Sequence, residues 1–121
     1  MANVPLIAII DDDEGVRRSL DGLVRSLGYR AATFGSAEDF LGSAQARESQ
    51  CVISDIHMPG MDGIALTRSL VGSDKTNVIL ISAFLDDDIS IQARDAGAFC
   101  FLRKPFSGDA LIGCIERALA A

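Results

Sequence analysis

Lysine is scarce in this chain of 121 residues: Lys75 and Lys104 are the only two, and the formal net charge is −6. Gripping nucleic acid requires clustered Lys and Arg against the phosphates, so this segment is not expected to bind nucleic acid directly. Histidine is scarcer still. His57 is the only one, which excludes multi-histidine metal sites and leaves a Ser-His-Asp triad one candidate base. The three cysteines, Cys51, Cys100 and Cys114, stand among apolar residues at wide, irregular spacing. An odd number without a CxxC pair indicates neither a disulfide framework nor a zinc site, so they read as buried, reduced thiols. No apolar run approaches the ~20 residues of a membrane span. Residues 1–5 carry no basic stretch leading into an apolar one, so no signal peptide is read there. A cytoplasmic protein with no membrane contact is expected. Linkers, repeats and low-complexity segments are also missing.

Hydrophobic residues make up 49% of the chain, enough for a packed core. The length suits one domain, residues 1–121. Leu6-Ile7-Ala8-Ile9-Ile10 is a continuous apolar run bounded by acids, the pattern of a strand covered on both faces. Val16, Leu20, Leu23, Val24 and Leu27 then recur at helical spacing, and Gly28 stops that helix. Residues 29–34 form a weaker strand, nearer an edge. Ser36-Ala37-Glu38-Asp39 resembles a capping signal for a short helix through Phe40 and Leu41. Residues 51–54 are the third strand. A loop with Pro59, Gly60 and Gly63 follows, then a helix through Leu66 and Leu70, and residues 78–81 are the fourth strand. Asp86-Asp87-Asp88 opens the fourth helix, where acids stabilise the positive end of the dipole by ~0.3–1 kcal/mol each. Residues 99–102 are the fifth strand. Ser107 caps the fifth helix, whose apolar face is Leu111, Ile112, Ile115 and Leu119. Five βα units in a row predict an α/β domain: a doubly wound, five-stranded parallel sheet with helices on both faces.

Ligands of such sheets bind beyond the carboxyl ends of the strands. At those ends stand Asp11, Asp12 and Asp13 after the first strand, Asp55 after the third, Ser82 after the fourth and Lys104 after the fifth. Taken singly, each has an ordinary explanation: a strand-end Asp as a helix cap, a Ser as a structural residue, a Lys as a solvated charge. The conjunction decides otherwise. Several carboxylates at one rim repel one another unless a cation sits among them. Asp11, Asp12 and Asp55 offer the hard oxygens that Mg²⁺ prefers when it shares a site with phosphate. Asp55 can attack a phosphoryl group as a carboxylate nucleophile. Mg²⁺ and Lys104 would neutralise the phosphoryl oxygens, and Ser82 would donate a hydrogen bond.

Five strings in order carry a resemblance that spans the chain: Ile9-Ile10-Asp11-Asp12, Ser54-Asp55-Ile56-His57-Met58-Pro59-Gly60-Met61-Asp62-Gly63, Ile81-Ser82-Ala83, Gly97-Ala98 and Lys104-Pro105-Phe106. They resemble the five signatures of response regulator receiver domains of bacterial two-component systems. Val16 to Leu20, Ser36 to Leu41 and Ile115-Glu116-Arg117-Ala118 resemble the FixJ/NarL-type receivers in particular. The resemblance implies a (βα)5 flavodoxin-like fold and a role for each position. Asp55 is implied as the phosphoacceptor, and Asp11 and Asp12 as the acidic pair for Mg²⁺, joined by the His57 backbone carbonyl. Ser82 is implied as the switch hydroxyl, more often Thr in the family, and Phe101 as the switch aromatic. Lys104 is implied as the phosphoryl partner, with a cis Lys104-Pro105 bond. The implied activity is signalling: a sensor histidine kinase donates the phosphoryl group, and the chain promotes only its own phosphorylation and dephosphorylation. The resemblance implies a readout surface made of the fourth helix, fifth strand and fifth helix, for homodimerisation or for an output domain past residue 121, and it implies a setting of transcription regulation.

Two rivals compete with this reading. A phosphatase of the haloacid dehalogenase type also places D-x-D after its first strand, which Asp11-Asp12-Asp13 fits. But Glu14-Gly15 replaces the expected continuation, the chain is short for that fold, and that family has no use for the M-P-G-M-D-G loop. A degenerate receiver acting only as an interaction module is the other rival, and it is opposed by the filling of all five functional positions.

Overall fold

The structure is a computed structural model that describes residues 4–70, 76–84 and 86–121. Lys75 and residues 1–3 lie outside the described residues. In chain order the elements are β1 (Leu6–Ile10), α1 (Glu14–Ser26), β2 (Arg30–Phe34), α2 (Ala37–Leu41), α3 (Gln45–Glu48), β3 (Ser49–Asp55), α4 (Gly63–Leu70), β4 (Asn77–Ser82), α5 (Asp87–Ala96), β5 (Cys100–Arg103) and α6 (Gly108–Ala120). The strands form one parallel sheet in the order β2-β1-β3-β4-β5. This is the expected doubly wound architecture. The hydrophobic pattern does not announce α3, which buries no residue and has no side-chain cap. It adds a turn to the second βα unit, so the expected fourth and fifth helices are α5 and α6.

The continuous apolar runs are explained by two cores. Successive strand residues face opposite sides of the sheet. Ala8, Ile10, Val52, Val78 and Leu80 face one way, against Phe40 of α2, Leu66 of α4 and Ala93 of α5. Ile7, Ile9, Ile53, Ile79 and Ile81 face the other, against Leu20 and Val24 of α1 and Leu111 and Ile115 of α6. Side chains at the expected helix starts accept backbone N–H groups: Asp13 from Gly15 and Val16, Ser36 from Asp39, Asp86 from Ile89, Ser107 from Ala110. Thus the Asp86-Asp87-Asp88 string is a helix start, as expected. Gly28 takes φ +92° just past α1, a conformation that costs glycine least.

The cysteine reading needs one correction. Cys51 and Cys114 are buried, but Cys100 is only half-buried, because β5 is an edge strand. The three thiols also share one core face, under α6. Burial pushes Cys51 up to about 12 and Cys114 up to about 11, each with a further rise from its neighbouring thiols. All three are free thiols. Among the described residues no helix is long and apolar enough to cross a membrane.

Candidate functional site

In the order β2-β1-β3-β4-β5 the chain winds one way from β1 and the other way from β3, so a crevice opens between their carboxyl ends. Backbone hydrogen bonds carry the sheet just past its ends and fix this rim. Asp11 N–H donates to the Phe34 carbonyl at 3.1 Å, Ile56 N–H to Ile81 at 2.9 Å and Lys104 N–H to Ser82 at 2.8 Å. Arg17 of α1 reaches back to the Asp11 carbonyl at 2.7 Å.

Asp11 and Asp55 are buried and Asp12 is exposed, and one carboxylate oxygen from each lies within 4.8 Å of the others. The Lys104 ammonium lies 3.2 Å from Asp11 Oδ2 and 3.7 Å from Asp55 Oδ2. His57 N–H donates to Asp55 Oδ1 at 3.3 Å. Ser82 is buried at the end of β4, and its hydroxyl accepts from Phe84 N–H at 3.0 Å, which leaves its own proton free to donate. The Lys104-Pro105 bond is cis. Asp13 turns away from this group to cap α1. Phe101 is half-buried on β5, packed against the core under α2, α4 and α5.

Burial is the main reason that Asp55 sits above the usual carboxylate range, and the adjacent Asp11 adds to it. Lys104 and the His57 N–H act the other way, and Asp12 raises it further. Two carboxylates crowd a third, and one ammonium does not balance them. The donor set therefore fits Mg²⁺. An octahedral ion with ~2.1 Å bonds sets its ligand oxygens at most ~4.2 Å apart, so small side-chain adjustments suffice.

Several residues at this rim make contacts that the sequence alone does not show. Glu38, legible only as part of a capping string, accepts from Met61 N–H at 3.0 Å across 23 residues. Gly63 starts α4 against the back of Asp55: a Cβ there would collide with the Asp55 carbonyl oxygen and stand 3.0 Å from Ile56 Cα. Phe84 is 72% exposed and packs on neither core. Its ring meets His57 edge-on at 6.0 Å, and His57 Nε2 lies 3.4 Å from the Phe84 carbonyl. On the other side of Lys104 an apolar groove of about 650 Å³ runs along α1, lined by Val16, Leu20, Leu23, Pro105 and Phe106.

The family model described as "Response regulator receiver domain" matches residues 7–116. The chain is 38% identical to the transcriptional regulatory protein FixJ of Bradyrhizobium diazoefficiens, over 93% of this chain and 56% of that protein. It is 36% identical to the C4-dicarboxylate transport transcriptional regulatory protein DctD of Rhizobium meliloti, over 98% of this chain and 26% of that protein. The chain thus spans about a quarter to just over half of these relatives. Among solved structures it is similar to the BeF3-activated DrrB receiver domain, with a TM-score of 0.89 and 28% identity over 98% of this chain and all of that one.

Proposed function

The chain belongs to the response regulator receiver domain family of two-component systems, and from that premise we propose that Asp55 accepts a phosphoryl group from a sensor histidine kinase in a Mg²⁺-dependent step. The observation that carries the reading is the convergence of Asp11, Asp12 and Asp55 with Lys104 at one rim. A carboxylate oxygen of Asp55 attacks phosphorus, an O–P bond forms, and the N–P bond to the donor imidazole breaks. Lys104 stands ready to pair with the phosphoryl oxygens, and Ser82 to donate to one of them. Mg²⁺ held by Asp11, Asp12, Asp55 and the His57 carbonyl would add positive charge against those oxygens. The groove lined in part by Lys104 offers the donor protein an apolar footing beside the site.

The same residues support a switch. When Ser82 turns its hydroxyl toward a phosphoryl oxygen, the bond it accepts from Phe84 N–H is strained. The segment leading into α5 then shifts, and Phe101 on β5 adjusts with it. The surface so altered is α5, β5 and α6, which serves homodimerisation or an output domain beyond residue 121. The names of FixJ and DctD, transcriptional regulatory proteins, support control of transcription as the output. The chain is a signalling component whose only chemistry is on its own Asp55.

The test is labelling with acetyl phosphate and Mg²⁺, read by intact mass. Wild type is expected to gain one phosphoryl group and Asp55→Asn none. Equal incorporation in both would remove Asp55 from its role, and multiple turnover of a phosphate ester would favour the phosphatase rival.

A further inference from the structure

We propose that Glu38 is a positioning residue for this site: its carboxylate clamps the loop after β3 so that the His57 carbonyl is presented to the cation. The proposal rests on the reading of the rim given above. It adds a residue from α2, an element that supplies nothing else to the site.

The loop between Ile56 and Gly63 has firm ends. Ile56 N–H is bonded to Ile81, and Gly63 N–H to Ile56. Between them, Pro59 has no N–H to give. Among the described residues, the backbone N–H groups of 57–61 find two acceptors, both carboxylates: Asp55 for His57 and Glu38 for Met61. One end of the loop is thus held by the nucleophile itself, and the other by Glu38. When Asp55 is engaged with a cation or a phosphoryl group, its hold on His57 N–H weakens, and Glu38 remains.

Glu38 is a sound anchor although its side chain is exposed. Its helix is fixed by the buried Ala37 and Phe40, by the Ser36 cap, and by an edge-on contact of Phe40 with Phe34 at 5.4 Å. The Met61 N–H, with a lesser contribution from its own N–H, holds the Glu38 carboxyl below the usual carboxylate range, so it stays ionised and accepting. Gly60 makes room for the clamp. Its φ of +76° bends the loop, and a Cβ there would collide with Glu38 Oε2. Met58 is buried and Met61 half-buried in the core that also holds Phe40, so loop and clamp share one footing.

The experiment compares wild type, Glu38→Ala and Glu38→Gln. Mg²⁺ affinity is measured by calorimetric titration, Met61 by amide hydrogen exchange, and labelling by acetyl phosphate across a Mg²⁺ series. Glu38→Ala is expected to speed Met61 exchange and weaken Mg²⁺ binding roughly tenfold, the low end of the cost of removing an outer-shell partner. Its labelling should fall at low Mg²⁺ and recover at saturation, a split that general loss of structure would not give. Glu38→Gln keeps an acceptor oxygen and should stay close to wild type. Wild-type Mg²⁺ affinity in Glu38→Ala overturns the proposal, as does an equal loss in Glu38→Gln, which would assign the effect to charge. If wild type itself binds no Mg²⁺, the reading of the rim fails, an outcome distinct from either.

Discussion

Asp55→Asn should make the metal-free domain more stable, because the site is built for charge that the protein alone does not supply. Asp55 faces the carboxylates of Asp11 and Asp12 within 4.8 Å and the Lys104 ammonium at 3.7 Å. At an effective dielectric of ~20, each repulsion is about 3.5 kcal/mol and the attraction about 4.5 kcal/mol; in bulk water each is about a quarter of that. Two repulsions therefore exceed one attraction by roughly 0.6–2.4 kcal/mol. Asp12 is exposed and screened, which places the expected gain near the low end, at about 1 kcal/mol. For a domain of this size that is about 4 °C in Tm. The assay is thermal melting followed by circular dichroism. In EDTA at neutral pH the variant should melt higher than wild type. With Mg²⁺ at about ten times its Kd, wild type gains about 1.4 kcal/mol and the order should reverse. The pH dependence has a definite sign. A carboxyl raised in the folded state costs stability fully above its folded value, and the cost vanishes as pH falls to the unfolded value. The gap between variant and wild type should therefore close on acidification. A variant that melts lower than wild type in EDTA, or a gap that persists at low pH, would refute the reasoning.

Three further outcomes are expected. Lys104→Ala should still accept a phosphoryl group, more slowly, but amide NMR should show little shift in α5, β5 and α6; wild-type-like shifts there would uncouple Lys104 from the switch. Gly63→Ala should cost about 1–3 kcal/mol in chemical denaturation, because its Cβ meets the Asp55 carbonyl and Ile56. Its labelling should also slow as Asp55 is displaced, and wild-type stability would show that the helix start can move aside. In Phe84→Ala the aspartyl phosphate should decay faster, on the proposal that the exposed ring beside His57 crowds the approach of water. Unchanged or slower decay in that variant, measured alongside His57→Ala, would reject the shielding role.

By itself, the sequence determined the alternation of elements and the fold. Runs such as Leu6–Ile10 and residues 78–81 are apolar throughout because each lies between two cores, and that leaves its mark on every residue. Caps are local too, so Ser36, Asp86 and Ser107 could be read from their immediate neighbours. The candidate site was legible because strand-end residues follow from strand order, and because the strings around Asp11, Asp55, Ser82 and Lys104 are specific in their spacing.

Tertiary structure decided what depends on residues far apart in the chain. Asp11-Asp12-Asp13 and Asp86-Asp87-Asp88 are the same letters, yet among the described residues the first gives two carboxylates to the cluster around Asp55 and the second gives none. The difference is the neighbour: Asp11 emerges beside β3 and Lys104, whereas Asp86 opens a helix at the surface. The three cysteines, 49 and 14 residues apart, come to share one core face because β3, β5 and α6 meet there. Glu38 reads locally as part of a cap, and its bond to Met61 exists only because α2 is packed beside the loop after β3. Short-range pattern records which face a residue turns to the core. It does not record which distant backbone group that residue will meet, and contacts of that kind set the shape of this site.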